Sequence, residues 1–381
     1  MTFYHDSHNP IYRTPLGAAP CGALIKLRVR GENLSKVWLR LWWQNAETRL
    51  PMRRMGAELF EFELAMPCAP GLLWYYFIAE DDEGSTWYLG NAADGLGGVG
   101  EVAMHEPSGY QITVYDPAFH TPEWLRNGMM LQIMVDRYNR AGALDISKLP
   151  PASYYHQHWD DNPTLIINDD KYGDNVNNDY FGGNLRGVME KLDYIQSLGV
   201  TVIYFNPIFK ARSNHKYNTG DYRAIDPGFG TEEDFRALCR EAAKRGIRVI
   251  LDGVFSHTGS DSLYFNRDGN YGEGGAYNDP DSPYAKWYRF RHWPDDYESW
   301  WGFKTLPNVH EETESYQDFI INDKDSVSMH WLRAGASGWR LDVADELPME
   351  FIRRLRARIR KARPAAAIIG EVWEDPSNKI A

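Results

Sequence analysis

The sequence predicts an α/β protein in which a (β/α)8 barrel of the TIM type follows an N-terminal antiparallel β-sandwich. We place the boundary between residues 120 and 121, in a proline-containing stretch that separates two different patterns. Before it, short runs alternate apolar and polar residues with no helical pattern, which is typical of a sandwich. After it, strand and helix patterns alternate, which is typical of a parallel sheet. About five strands are visible in residues 121–381, so the predicted barrel is incomplete.

The predicted sandwich contains five strand patterns. They are rich in Val, Trp, Tyr and Phe, residues that favour strands, and they are bounded by turn residues. The runs lie at residues 23–31, 36–43, 59–67, 72–81 and 110–116. Several aromatic residues in these runs can form either packed core or a platform for sugar rings, and for each of them core is the favoured interpretation. These residues are Trp42, Trp43, Trp74, Tyr75 and Tyr76.

The second domain repeats a unit of helix followed by strand. Strands are predicted to begin near residues 130, 200, 248, 338 and 367. A helix over 184–199 ends at Gly199, and a second helix begins at Thr231 with Asp234 in the capping-box position. Helical patterns at 326–337 and 348–364 precede the last two strands. The basic residues of the last pattern form a solvated face, because its apolar residues recur at helical spacing.

The links between these elements predict where the functional site lies. Links from helix to strand are a few residues, whereas the links from strand to helix are long, at about 138–183, 206–230 and 256–324. In a parallel α/β architecture the loops after the strands share one rim, where active sites are built. The third link is long and aromatic enough to be a small subdomain.

Composition excludes several classes of protein. A net charge of −12 argues against a nucleic-acid or anionic-membrane partner. No run reaches membrane-spanning length and the N-terminus has no apolar signal segment, so we predict a cytoplasmic protein. Three scattered cysteines are too few for a disulfide framework or a zinc site, and we interpret them as reduced.

Two carboxylates at the ends of predicted strands point to glycoside chemistry. In the strand Gly338 to Asp342, alternation puts Arg340 and Asp342 on one face, and the guanidinium should hold the acid ionised, as a nucleophile requires. Glu371 ends the next strand and is followed by Trp373; aromatic surroundings raise the pKa of an acid, which suits a proton donor. Such a pair is the minimum that a retaining glycosidase needs.

Four blocks together resemble the α-amylase family, glycoside hydrolase family thirteen, and within it the neopullulanase, cyclomaltodextrinase and amylopullulanase group. The blocks are HKYNTGDYRAIDPGFGT (215–231), DGVFSHTG (252–259), GWRLDVADE (338–346) and GEVW (370–373). Each lies at or just after the end of a predicted strand. The resemblance covers about residues 120–381, and the sandwich resembles the carbohydrate-binding module that precedes the barrel in that group.

The resemblance implies roles for individual residues. Asp342 would be the nucleophile that forms a covalent glycosyl-enzyme, and Glu371 the general acid and base. Other residues would bind the α-glucan oligosaccharide or support the site: His215, Tyr217, Asp252, His257, Arg340 and Glu346. Taken alone, His257 is more simply a structural histidine and Asp252 a strand-end cap, but their placement on the same rim as Asp342 and Glu371 favours a role in the site. Glu346 resembles the neopullulanase group and favours maltodextrins, cyclodextrins or pullulan over granular starch.

The resemblance also implies a calcium ion after the first barrel strand, with Asn139 and Asn184 as candidate ligands. The segment from Asp160 to Asp179 is rich in hard oxygen ligands but matches no EF-hand spacing, and a solvated polar loop is the alternative. A homodimer through the N-terminal domain is a further expectation.

Members of the family have a third essential carboxylate near a seventh strand, which this sequence lacks. We therefore expect 381 residues to be a fragment. The alternative to a retaining α-glucan hydrolase is a non-catalytic α-glucan-binding protein. A doubly wound nucleotide-binding sheet also has parallel strands, but no glycine-rich turn opens the first helix.

Overall fold

The computed structural model describes residues 2–143, 145–151, 153–163 and 177–373. The chain divides into two compact units, one up to His120 and one from Thr121 to Trp373. Among the described residues, no helix is both long enough and apolar enough to cross a membrane.

The N-terminal unit consists of two sheets. The first has five strands: Phe3–Tyr4, Arg13–Thr14, Leu24–Gly31, Arg53–Arg54 and Leu59–Ala65. The second has seven strands: Ala19–Pro20, Leu34–Trp43, Ala46–Pro51, Gly71–Asp81, Thr86–Gly90, Glu101–Ala103 and Tyr110–Tyr115. Neighbouring strands pair antiparallel, except that Tyr110–Tyr115 runs parallel to Ala19–Pro20. All five predicted strand patterns are strands in the structure.

The two sheets of this unit share one apolar core. Alternation along the strand Leu24–Gly31 buries Ile25, Leu27 and Val29 completely, and they belong to the same cluster as Phe77 of the second sheet. This shared core is the arrangement expected of a sandwich, in which inward residues of both sheets interdigitate.

The aromatic residues of the sandwich divide between the core and the outer face. Tyr75 is fully buried in the core, whereas Trp42 keeps 36% of its surface exposed. Trp42 is paired across the strands with Trp74, on the face opposite the core. The sequence analysis favoured a core role for each of these residues, which is confirmed for Tyr75 and wrong for Trp42.

A parallel sheet of five strands forms the centre of the second unit. We number them β1 to β5: Met130–Ile133, Val202–Phe205, Arg248–Gly253, Gly338–Leu341 and Ala367–Gly370. Their order in the sheet is their order in the chain, as in a (β/α) barrel. Each strand lies where the sequence predicts one.

Helices connect the strands of this sheet. We number the longer ones α1 to α5: Leu185–Glu190, Leu192–Ser197, Glu232–Lys244, Val327–Ala334 and Met349–Ala362. Short helical turns lie at Glu123–Arg126, Val135–Arg137, Ile146–Lys148, Ala285–Trp287, Trp300–Gly302, Glu314–Gln317 and Asp318–Asn322. Short strand pairs are Tyr154–Tyr155 with Asp179–Tyr180, Phe209–Ala211 with Thr219–Ile225, and Phe290–His292 with Asp296–Tyr297.

Side-chain chemistry sets the ends of these helices. Thr231 and Asp234 form the predicted capping box at the start of α3. The single helix predicted over 184–199 is two helices, because Lys191 leaves helical geometry with φ −96° and ψ 3° and caps both α1 and α2. Gly199 follows α2 with φ 78°, a left-handed conformation that glycine adopts without a steric penalty.

The two faces of the parallel sheet differ. On one face Ile203, Leu251 and Leu341 pack against the helices in the main core of the unit, with Leu355 of α5 among them. The basic run of α5 lies on the other side of that helix, as predicted. The opposite face of the sheet carries the small cluster of Val202, Tyr204 and Ile250. Because strand residues alternate, this second face also carries the charged residues at the ends of β3 and β4.

Candidate active site

Parallel pairing of β3 and β4 brings two charged residues side by side. The Cα atoms of Asp252 and Arg340 are register partners in the sheet. Alternation puts Asp342 on the same face as Arg340, two residues further along. β5 pairs with β4 on its other side, so Glu371, the residue after β5, comes to the same end of the sheet.

The Arg340 guanidinium binds three carboxylates at this end. Nη1 lies 2.8 and 2.9 Å from the two oxygens of Asp252 and 2.7 Å from Oδ1 of Asp342. Nη2 lies 2.6 Å from Oε1 of Glu371. All four side chains are at least half buried, with Glu371 the most exposed at 29%. One cation therefore faces three acids in a site with little water, and their charges do not balance.

The backbone after β4 fixes the orientation of Glu371. Val343 has φ 41°, a left-handed conformation that is an outlier for a β-branched residue. Its N–H donates to Oε2 of Glu371 at 2.9 Å. The neighbouring Ala344 N–H donates to the Glu371 carbonyl oxygen, also at 2.9 Å. The strained backbone at Val343 thus helps to hold the Glu371 carboxylate in place, and such strain is common at functional sites.

The charge on Asp342 differs from the sequence prediction. Burial, together with the Asp252 carboxylate, raises the pKa of Asp342 to about 7, although Arg340 acts in the opposite direction. The predicted contact with Arg340 is present, but burial and the Asp252 carboxylate outweigh its effect on the pKa of Asp342. The guanidinium is also shared among three acids, which the sequence of one strand does not show.

The surroundings of Glu371 also differ from those predicted. Trp373, expected to be the main neighbour of this acid, has 54% of its surface exposed and packs edge-on against Trp300 and Trp301. The Glu371 carboxylate instead binds the Arg340 guanidinium and the Val343 N–H.

Asp252 lies behind the arginine, away from the cleft. Its carboxylate accepts hydrogen bonds from the hydroxyl groups of Tyr204 and Tyr217, the latter at 3.2 Å. Burial raises its pKa to about 6, against the opposing effect of Arg340. Tyr204 was missed in the sequence analysis, although alternation in Val202–Phe205 places it on the same face as Asp252.

A cleft of about 440 Å³ opens beside the carboxylates. Predicted site residues that line it are His215, Tyr217, His257, Arg340, Asp342 and Glu371. The sequence analysis missed Trp300 and Phe303, which also line it. Asp252 and Glu346 are not among the described residues that line the cleft.

His257 presents an unsatisfied nitrogen at the cleft. Its side chain is 2% exposed, and Nδ1 lies 3.0 Å from the Ser256 hydroxyl oxygen. Nε2 is buried and has no hydrogen-bond partner among the described residues. Burial lowers the pKa of His257 to about 4, so the imidazole is neutral near pH 7 and can accept or donate one hydrogen bond. A buried unpaired nitrogen beside a cleft is a natural contact for a ligand hydroxyl group.

His215 and Tyr217 form one wall of the cleft. The Tyr217 N–H donates to Nδ1 of His215 at 3.1 Å, and the two rings stack with centroids 5.8 Å apart. On its other side, Nε2 of His215 lies 3.4 Å from Nδ2 of Asn177. Burial lowers the pKa of His215 to about 4. This wall is therefore aromatic and uncharged at neutral pH, which suits contact with a neutral ligand.

Comparison with known proteins agrees with this geometry. Residues 132–381 match the family model for the α-amylase catalytic domain. The chain belongs to the α-amylase family. A TIM barrel is the fold of that domain, and the parallel sheet in chain order is consistent with it.

Three relatives illustrate the similarity within the α-amylase family. An amylopullulanase of Thermoanaerobacterium saccharolyticum is 39% identical over 98% of this chain and 32% of its own length. Neopullulanase 2 of Thermoactinomyces vulgaris is 32% identical over 83% of this chain and 50% of its own. The solved type III pullulan hydrolase of Thermococcus kodakarensis has a TM-score of 0.57 and 27% identity, over 98% of this chain and 62% of its own. The chain thus spans about a third to two thirds of these relatives.

The calcium expected from the α-amylase resemblance finds little support in the residues named for it. The Asn184 side chain caps α1: its oxygen accepts from the Gly187 N–H at 2.7 Å and from the Ala141 N–H at 3.2 Å. The Asn139 amide donates to the Gly187 carbonyl oxygen. The described residues contain no cluster of three or more metal-binding His, Cys, Asp or Glu side chains. Most of the segment 160–179 lies outside the described residues, so calcium stays a prediction.

Proposed function

We propose that this chain carries the site of a retaining α-glucan hydrolase that acts through a covalent glycosyl-enzyme. The observation that supports this most is the shared guanidinium: Asp342 and Glu371 both bind Arg340, through Nη1 and Nη2 respectively. Retaining glycosidases keep their two carboxyl groups about 5 Å apart, close enough for one to attack while the other protonates. Two carboxylates that bind the same guanidinium are close neighbours, as this mechanism requires.

The two acids take different parts in the reaction. The ionised Asp342 attacks the anomeric carbon, and the bond from this carbon to the leaving oxygen breaks. Glu371 gives its proton to the leaving oxygen. Water then attacks the same carbon after giving a proton to Glu371, and Asp342 leaves with its charge restored. Two inversions at the carbon retain its configuration.

The remaining residues of the cleft bind and orient the sugar. His257 hydrogen-bonds a hydroxyl group in the cleaved subsite through Nε2, and the Tyr217 ring stacks against the sugar ring. Arg340 fixes the spacing of the two acids, and Asp252 supports Arg340 from behind. The N-terminal sandwich binds α-glucan as an accessory module.

The substrate class follows from the names of the relatives. These include amylopullulanases, a neopullulanase and a cyclomaltodextrinase. We propose maltodextrins, cyclodextrins or pullulan as substrates, with α-1,4 bonds cleaved and α-1,6 bonds as the alternative.

Incubation of the chain with maltoheptaose and with pullulan, followed by chromatography of the products, tests the proposal. Cleavage that is lost in Asp342→Asn and kept in Asp345→Asn, a matched change in an exposed aspartate three residues away, would support the hydrolase and show that this chain acts without the third carboxylate of the family. NMR of the first product should show the α-anomer. Binding of maltoheptaose without cleavage would favour the alternative, a non-catalytic α-glucan-binding protein. Initial β-anomer would exclude the covalent mechanism.

A further inference from the structure

A group of aromatic side chains continues from the cleft to the surface of the loop after Ser299. Trp300 and Phe303 line the cleft, and Trp301 beside them has 67% of its surface exposed. The ring centroids of Trp300 and Trp301 are 5.6 Å apart with 31° between the planes. Those of Trp300 and Phe303 are 6.3 Å apart with 26° between the planes. The rings are therefore tilted only moderately and present broad apolar faces.

The backbone holds Trp301 in an unusual conformation. Its φ is 49°, in the left-handed region, where large residues are uncommon and pay a conformational cost. The loop around it is nevertheless ordered by hydrogen bonds: the Trp300 N–H donates to the Leu306 carbonyl oxygen at 2.9 Å, and the Phe303 N–H donates to that of Trp300 at 3.0 Å. The result is a large apolar ring kept in solvent, which folding alone does not require.

One carboxylate orients both tryptophans. Nε1 of Trp300 lies 2.9 Å from Oε2 of Glu346, and Nε1 of Trp301 lies 3.0 Å from Oε1. Each oxygen thus accepts one indole N–H, and hydrogen bonds to a charged acceptor are stronger than those between neutral groups. The sequence analysis placed Glu346 among the residues that bind the oligosaccharide or support the site. In the structure its two oxygens hold the two indole rings.

We infer that Trp300 and Trp301 form a stacking platform for a glucosyl unit outside the cleaved subsite, and that Glu346 is the positioning residue of this platform. Glucosyl units present apolar C–H faces that pack on indole rings, and the platform is continuous with the cleft through Trp300. The inference rests on the proposed function, because it takes an α-glucan as the ligand.

Equilibrium binding measures the platform without turnover. In the Asp342→Asn background, calorimetric titration with maltoheptaose and with maltose gives the dependence of affinity on chain length. Trp301→Ala should weaken maltoheptaose binding about three- to tenfold, the size of one aromatic contact, and change maltose binding less than twofold. Trp293→Ala is the control, since Trp293 is an exposed tryptophan of the same long loop that is not among the described residues lining the cleft. Unchanged maltoheptaose affinity in Trp301→Ala would overturn the platform.

A double-mutant cycle tests whether Glu346 acts through the tryptophans. Glu346→Gln leaves one oxygen for two indole donors and should weaken maltoheptaose binding about threefold, the effect of one hydrogen bond. In the Trp301→Ala background, Glu346→Gln should weaken maltoheptaose binding by less than a further twofold. Effects that multiply would show that Glu346 touches the sugar directly, against the inference. Glu350→Gln, which removes an exposed carboxylate on α5, is the matched control for charge.

The two proposals fail in different experiments. If the chain binds maltoheptaose in a Trp301-dependent way but never cleaves it, the platform is supported and the hydrolase proposal is contradicted. If the chain cleaves maltoheptaose and Trp301→Ala loses no affinity, the hydrolase is supported and the platform is contradicted. A chain that binds no α-glucan would contradict both.

Discussion

Arg340 bridges Asp342 and Glu371, with its Nη1 2.7 Å from one carboxylate and its Nη2 2.6 Å from the other. The distance between the two acids is therefore set by a planar group of fixed size. An ammonium group is a point charge on a flexible stem and cannot hold two carboxylates in this fork geometry. The relationship makes Arg340 a residue that positions both partners of the proposed reaction.

Arg340→Lys should therefore reduce kcat/KM for maltoheptaose about 100-fold, the effect of a small misplacement of reacting groups, while retaining one positive charge. The assay measures the release of reducing ends, at the same pH for every variant. Arg354→Lys on α5, where the arginine pairs with an exposed glutamate, should leave the rate unchanged. A loss below threefold in Arg340→Lys would mean that charge alone suffices and the fork geometry is not needed.

The pH dependence of the rate should reflect the raised pKa of Asp342, which lies close to Asp252. Nucleophilic attack needs ionised Asp342, whose pKa burial and Asp252 raise to about 7. We expect the acid limb of the kcat/KM profile to have its midpoint near this value, and the rate not to level off above it, because the reaction also needs a protonated general acid. Asp252→Asn removes a neighbouring negative charge and should move the midpoint down by about one unit. A midpoint that stays in place or moves up would contradict the electrostatic account of this cluster.

The same shift has a consequence for stability. The folded chain keeps a proton on Asp342 up to about pH 7, whereas the unfolded chain loses it near the ordinary pKa of 3.8. Because the raised pKa disfavours the ionised form in the folded state, the contribution to stability is full below about pH 4 and is lost as pH rises through about 7. Asparagine cannot ionise. Relative to the natural chain, Asp342→Asn should thus be about 1–3 kcal/mol more stable at about pH 8 than at about pH 4.5, as measured by urea titration.

A flat difference between these two pH values would show that Asp342 does not carry the raised pKa. Asp345→Asn provides the control, because Asp345 is an exposed residue of the same segment. Both variants are compared with the natural chain at the same two pH values.

Much of the parallel sheet could be predicted because local signals decide it. Apolar runs followed by polar residues mark β2 to β5, and the capping box at Thr231 marks the start of α3. Period-2 alternation also placed Arg340 beside Asp342, and the contact is present. These features depend on residues that are close in sequence, so the sequence pattern alone predicts them.

The parts that could not be predicted depend on residues far apart in the chain. The hydrogen bonds of Glu346 reach Trp300 and Trp301, on a loop whose path is set by tertiary packing. The pKa of Asp342 is raised by burial and by Asp252, which belongs to a different strand. Sequence spacing carries no information about such distances. Tyr204 is intermediate: alternation indicates its face, but only the sheet register shows that it meets Asp252.

His257 offers a prediction that separates a binding role from a structural one. Its Nε2 has no partner among the described residues, so His257→Phe removes no hydrogen bond of that atom within the folded chain. If Nε2 binds a sugar hydroxyl group, kcat/KM for maltoheptaose should fall about tenfold or more, since a lost hydrogen bond to a buried ligand costs about 1–2 kcal/mol. The variant also loses the contact of Nδ1 with the Ser256 hydroxyl, so the free energy of unfolding should fall by about 1–2 kcal/mol even though an aromatic ring still fills the space. The imidazole has a pKa of about 4, so the acid limb of the rate profile should keep its midpoint in this variant. Loss of stability together with an unchanged rate would instead assign His257 to the core.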